Sequence, residues 1–163
     1  MTVNCLISFE KTYKNEGGYI ADLGDGAGET NGGITKRTYP HLDIKSLTKD
    51  EIFEIYKRDF WDHYNIGSLN NQGLCDQVFD MSINSAPLAL GMTLQLAIHA
   101  CGNNLTLDGI IGSATITAAN SLDPVLLLKQ FRLERIRFYT GLANANPDKR
   151  EKFLRSWNMR ALS

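Results

Sequence analysis

The chain predicts a mainly α-helical fold, interrupted once by a glycine-rich loop or small β-hairpin after the first helix. Three observations carry this reading. Apolar residues recur at three- and four-residue intervals, helix-start signals precede several of those runs, and strand-like alternation is confined to short stretches. At 163 residues, 43% hydrophobic and 21% charged, the chain can bury a sizeable core in one compact unit.

In chain order, Leu6, Phe9 and Tyr13 set the stripe of a first helix from Val3 to Asn15, and Gly17 to Gly33 form the loop. Thr48 and Glu51 have the spacing of a capping box, with Leu47 and Ile52 at the two positions of a hydrophobic staple. The second helix they start shows Ile52, Ile55, Tyr56 and Phe60 on its apolar face and ends at Gly67. Leu74, Val78, Met81 and Ser85 trace a third. Pro87 opens a fourth, whose Leu94, Ile98 and Cys101 share a face until Gly102 stops it. After the turn from Asp108 to Gly112, Ser113 is placed to cap a short helix, and Asp123-Pro124 starts a long one toward Tyr139. Asn146-Pro147 repeats that signal for a last helix with Phe153 and Trp157. There is no internal repeat or tether, so the expected division is two packed lobes, 1–70 and 71–163, with Asn70 or Ser85 as the natural break.

Composition narrows the function classes. No window of about 18 apolar residues exists to span a bilayer, and Met1 to Glu10 lacks the basic start and apolar run of a secretory signal, so synthesis in the cytoplasm is expected. Cys5, Cys75 and Cys101 are odd in number and widely spaced, which points to buried free thiols and away from a disulfide framework or zinc site. The net charge of −1 hides an asymmetry of −7 over residues 1–128 against +6 over 129–163. A basic C-terminal region could hold the protein near an anionic polymer such as a bacterial wall, and a solvated helix face pairing with the acidic half accounts for it equally. Lys129, Arg132, Arg135 and Arg137 come with no recognised nucleic-acid motif, so no nucleic-acid partner is expected.

The most informative stretch is Glu16-Gly17-Gly18-Tyr19 followed by the polar loop through Thr35. At about 100° per residue Glu16 falls within roughly 20° of Phe9, so a helix continued that far holds its carboxyl beside the apolar stripe. Desolvation there would keep the acid protonated, as the proton donor of glycoside cleavage must be. Asp22, Asp25 and Glu29 are open candidates for a second carboxylate, in a segment whose glycines allow close backbone approach. No Gly-Lys-Ser/Thr follows and the glycines do not fall in a GxGxxG register, so the phosphate reading fails; calcium, with Asp22, Asp25 and Glu29 as oxygen ligands, is the better rival but lacks EF-hand spacing, and no metal or cofactor is expected.

Candidate sugar contacts are Tyr19, Asn31, Thr35 and Trp61, the last because it stands off the Tyr56–Phe60 stripe and so offers a flat face. Asp80 and Asn84 lie four apart on the third helix and can point into one cleft, and Gln95 on the fourth is a further candidate. Structural hydrogen bonding accounts for these three as well as substrate contact does.

These residues resemble the EGGY-type muramidases of glycoside hydrolase family 108. The resemblance covers Glu16 to Tyr19, the run from Gly28 to Pro40, Tyr56 to Asp62, Phe79 to Ser85, Leu94-Gln95, Asp108 to Gly112 with Thr115, and Phe153 to Arg160. It implies a lysozyme-like fold with a catalytic first lobe and a peptidoglycan-binding-type C-terminal lobe. It also implies cleavage of the β-1,4 bond between N-acetylmuramic acid and N-acetylglucosamine, with Glu16 as proton donor. The Glu16, Asp25, Thr30 spacing is similar to the Glu-Asp-Thr arrangement of phage lysozymes, one residue shorter to the threonine. Ala27 and Ala86 stand where the family usually has glycine. The expected protein is a phage or prophage endolysin acting on glycan strands at the periplasm or wall, without membrane insertion and exported through a holin-type pore. The alternative is a wall-binding or secretion-assisting protein of the same fold with little hydrolase activity.

Overall fold

Helix α1 runs over Cys5–Tyr13 in the computed structural model of the chain, which describes residues 3–21 and 28–145. The Asn4 side chain caps it by accepting from Leu6 N–H at 2.9 Å. Its inward face is Ser8, Phe9 and Thr12, while Leu6 and Ile7 are exposed, so the expected stripe is rotated toward smaller side chains. The helix stops at Tyr13, short of the expected Asn15.

Two short antiparallel strands follow, β1 (Thr30–Asn31) and β2 (Ile34–Thr35), with Thr30 opposite Thr35 and Asn31 opposite Ile34. Gly32 and Gly33 join them with φ of +52° and +81°, the pair of positive angles that a two-residue type I′ hairpin turn needs. Ile20 adds itself to the free side of Thr30 through N–H···O bonds of 2.8 and 2.9 Å in both directions. The expected hairpin therefore lies at the end of the glycine-rich loop, flanked by the chain leaving α1.

Helix α2 (Lys49–Tyr56) begins with both halves of the predicted capping box: Thr48 accepts from Glu51 N–H, and Glu51 accepts from Thr48 N–H at 2.8 Å. Its end departs from expectation. Residues Lys57–Asp62 continue as a wider π-type turn. In an i→i+5 ladder Trp61 joins the face of Tyr56, so Trp61 turns inward beside the partly buried Phe60 and is only 6% exposed.

Helix α3 (Gln72–Asn84), capped by Asn71, is the central wall of the fold. Leu74, Val78, Phe79 and Met81 are buried along it, with α1, α4 (Pro87–Ala100) and α6 (Pro124–Ala145) all packed against it. Each fully buried aliphatic or aromatic side chain stabilises by about 1.5–3 kcal/mol, so this wall contributes a substantial part of the core. Pro87 occupies the first turn of α4, and Gly102, at φ +90°, follows its end. Helix α5 (Ser113–Ser121) is preceded by Gly112 as N-cap residue; Ser113, expected to cap it, is its first residue. Asp123 Oδ1 accepts from Leu126 N–H at 2.7 Å to start α6 as expected. The last predicted helix lies outside the described residues.

Polar ties inside the core were invisible to helical periodicity. Ser8 and Lys11 of α1 both donate to Asp76 of α3, at 2.6 and 2.5 Å. Arg135, expected on a basic face of the long helix, is fully buried: it donates to Gln77 Oε1 at 2.6 Å, Asp80 Oδ2 at 2.7 Å and the Tyr139 hydroxyl at 3.2 Å. A buried guanidinium must be paired in this way, because desolvating it alone is prohibitive.

Candidate active site

Glu16 lies in the turn after α1, its N–H donating to Tyr13 O at 3.1 Å. Because the helix has already ended, a helical stripe does not place this carboxyl; the hairpin does. Gly32 N–H donates to Gly17 O at 3.1 Å, which pins the post-helix turn to the hairpin turn. The half-buried Glu16 side chain then reaches over Gly33, where a Cβ would stand 3.3 Å from Oε2 and 3.4 Å from Cγ. From beneath, the Tyr56 hydroxyl donates to Gly32 O at 3.0 Å, and the same imagined Cβ would overlap its oxygen. Gly33 itself is exposed, so the carboxyl sits where buried protein meets open solvent.

Thr30 is 8% exposed in the middle of this arrangement, paired on one side with Ile20 and on the other with Thr35. Tyr19 is 39% exposed, and its hydroxyl is 3.4 Å from Glu29 Oε2. Thr35 Oγ1 lies 3.0 Å from Thr38 Oγ1 and accepts from Thr38 N–H at 3.3 Å. The structure thus brings Glu16, Tyr19, Thr30 and Thr35 onto one hairpin and its flanking turn. Asp25 and Asp22 lie outside the described residues.

The other expected sugar contacts are held elsewhere. Asn31 is buried and its amide donates to Ile44 O and Leu47 O, both at 3.1 Å, fastening the hairpin to the 3₁₀ turn Ile44–Ser46. Trp61 is a correction: the π-type turn drives it edge-on against Phe79, ring centres 5.8 Å apart, rather than onto a groove. Asp80 is another, since its carboxylate faces Arg135 in the core and only its backbone oxygen meets the exposed Asn84, whose amide donates to it at 2.8 Å. Asp80 also borders a polar slot of about 20 Å³ with Lys11, Thr12, Asn15, Asp76 and Gln77, room for about one water. Gln95 is fully buried; it donates to Asp108 Oδ1 at 2.7 Å and Ile110 O at 3.1 Å and accepts from Gly109 N–H at 2.8 Å, so it shapes the Asp108–Gly112 turn rather than touching sugar. A Cβ on Gly91 would overlap Gly109, so the same turn lies directly against the backbone of α4.

A cavity of about 380 Å³ opens on the outer side of α2 between Leu42, Leu47, Ile55, Asp50, Glu54 and Arg58, and none of the hairpin residues lines it. Among the described residues, no three His, Cys, Asp or Glu side chains converge as a metal site requires. The thiols of Cys5 and Cys75 are pushed up to about 12, in both cases first by burial, which leaves them unsuited to nucleophilic work near neutrality. Cys75 is buried as expected, whereas Cys5 and Cys101 are only partly so, and all three are free.

Periodicity passed over Tyr56 and Gly33. Tyr56 sits on an apolar stripe and reads as core, which its 1% exposure bears out; the missed signal is its hydroxyl, which when buried must find a polar partner.

Residues 9–86 match the family described as Glycosyl hydrolase 108, and residues 90–162 match one described as Predicted Peptidoglycan domain. No curated protein matches the chain. Among solved structures, that of Brucella abortus SagA superposes with a TM-score of 0.71 at 23% identity, over 97% of this chain and 93% of that one. The likeness shows the fold.

Proposed function

We propose that this chain, a lysozyme-type glycoside hydrolase acting on peptidoglycan whose residues 9–86 match the family described as Glycosyl hydrolase 108, cuts the β-1,4 bond between N-acetylmuramic acid and N-acetylglucosamine with Glu16 as general acid. The observation that carries the assignment is the position of the Glu16 carboxyl over Gly33, at the open edge of a hairpin whose turn has no side chain to bar a sugar ring.

In the reaction, Glu16 delivers its proton to the glycosidic oxygen as the bond to the anomeric carbon breaks, so that the departing sugar leaves as a neutral alcohol. Asp25, with Thr30, orients a water on the opposite face and takes its proton as the water oxygen bonds to the anomeric carbon. Tyr19 and Thr35 contact the glycan along the hairpin. The 71–163 lobe holds the wall polymer, and export through a holin-type pore in a phage or prophage setting completes the proposal.

The test is mass analysis of muropeptides released from purified sacculi. Products with new reducing N-acetylmuramic acid ends, formed at only a small residual rate with Glu16→Gln, are the expected result. Sacculi that are bound and pulled down without any bond cut, or cut equally well by Glu16→Gln, would remove Glu16 from the chemistry.

A further inference from the structure

We propose that Tyr56 is the positioning residue of the general acid: its phenol oxygen holds the Glu16 carboxyl in place over Gly33. The inference rests on the reading of Glu16 as proton donor and adds a residue to it.

Three contacts define the arrangement. Tyr56 is 1% exposed, and its ring is wedged among Phe9, Phe60 and Phe79, with ring centres 5.6, 5.5 and 6.2 Å away, so the hydroxyl cannot swing. The phenol donates its one proton to Gly32 O at 3.0 Å. A Cβ on Gly33 would overlap the phenol oxygen and stand 3.3 Å from Glu16 Oε2, so the two oxygens are separated by at most the space of one methyl group. In the proposed arrangement the Glu16 carboxyl closes that span directly onto the phenol oxygen.

The hydrogen-bond inventory sets the direction. A phenol has one proton, and with that proton on Gly32 the oxygen can only accept on its Glu16 side. A carboxylic acid can donate to it; a carboxylate cannot. Tyr56 therefore contacts the form of Glu16 that a proton donor must present, and its rigidity passes to a carboxyl that sits outside any helix. Gly33 permits this because any larger residue would fill the gap between the two oxygens.

A purely structural role is the rival, since the same hydroxyl also anchors Gly32. The leaving group separates the two. Peptidoglycan departs as an alcohol and needs the proton of Glu16, whereas the 2,4-dinitrophenyl β-glycoside of N-acetylglucosaminyl-N-acetylmuramic acid releases an acidic phenol that leaves without it. Tyr56→Phe is expected to lower kcat on peptidoglycan by roughly 10- to 100-fold with KM little changed, the scale of a misplaced catalytic group, and to stay within about twofold of the unmutated protein on the aryl glycoside. The ratio of the two rates cancels any loss of folded protein. In the Glu16→Gln background, Tyr56→Phe should cost nothing further on peptidoglycan, a check that does not depend on the aryl substrate.

Equal slowing on both substrates, or an added loss in the Glu16→Gln background, would overturn the inference and leave the hydroxyl as a hairpin anchor. If Glu16→Gln itself keeps its activity on peptidoglycan, the failure belongs to the general-acid reading instead.

Discussion

The glycines around Glu16 are not alike, and the difference decides which of them the site requires. Gly33 has φ +81°, and a Cβ there would meet both the Tyr56 hydroxyl and the Glu16 carboxyl. Gly18, inside the Glu16 to Tyr19 motif, has nothing within 4 Å of its imagined Cβ. Left-handed backbone costs a non-glycine residue about 1–2 kcal/mol, and the overlap adds to it. Gly33→Ala should therefore lose about 2 kcal/mol or more in denaturant titration and displace Glu16, with peptidoglycan turnover down by more than about 10-fold. Gly18→Ala is expected to stay within about 0.5 kcal/mol and keep its activity. Equal behaviour of the two variants would mean that the hairpin turn does not set the position of the carboxyl.

At the scale of elements, what was legible in the sequence is what depends on neighbours along the chain. The capping box at Thr48 and Glu51, the Pro87 break, the Asp123 cap and the glycine hairpin are all settled within four residues, and all are present. The π-type turn was not legible, because Ile52, Ile55, Tyr56 and Phe60 fit an α stripe, whereas the change of ladder brings Trp61 inward as well, against Phe79 of a helix distant in sequence. Asp80 was visible as polar, but its partner Arg135 lies 55 residues away, beyond any periodic signal. The turn is also tied outward: Tyr39 donates to Asp59 Oδ2 at 2.8 Å, and Arg58 donates to both oxygens of the same carboxylate at 2.6 and 2.7 Å. Arg58, then Tyr39, holds the Asp59 carboxyl below its usual range against an opposing push from desolvation. A carboxyl whose pKa is lower folded than unfolded stabilises the protein above its unfolded value of about 3.9, and that contribution is lost as pH falls through the folded value. The difference in Tm between the unmutated protein and Asp59→Asn should thus be largest near pH 7 and shrink below about pH 4. A difference that is constant from pH 7 to pH 3 would remove the ion pair from the stability of this turn.

For the molecule as a whole, α3 decides whether the two matched regions can live apart. Residues 9–86 end just before α4 and residues 90–162 begin in its first turn, which suggests separable modules. The packing argues otherwise. Helix α3 belongs to the first region, yet it packs against α6 and α4 of the second, and the only charge facing the fully buried Arg135 among its described contacts is Asp80 of α3. Ending the chain after residue 88 would expose the side of α3 that α4 and α6 cover and leave Asp80 without its guanidinium; removing one partner of a buried pair alone costs about 3–5 kcal/mol, comparable to the whole stability of a small domain. Restoring Asp80 to water relieves part of that, but the uncovered apolar wall remains. The expected outcome for residues 1–88 is loss of a cooperative thermal transition, with no turnover of sacculi, while Glu16 and its hairpin remain chemically intact. Adding residues 89–163 as a separate chain should restore both signals together if α6 docks again on α3. A sharp melt and full activity from residues 1–88 alone would mean that the catalytic hairpin depends on α1 and α2 only, and that the buried Arg135–Asp80 pair fixes how the lobes are joined without holding up the site.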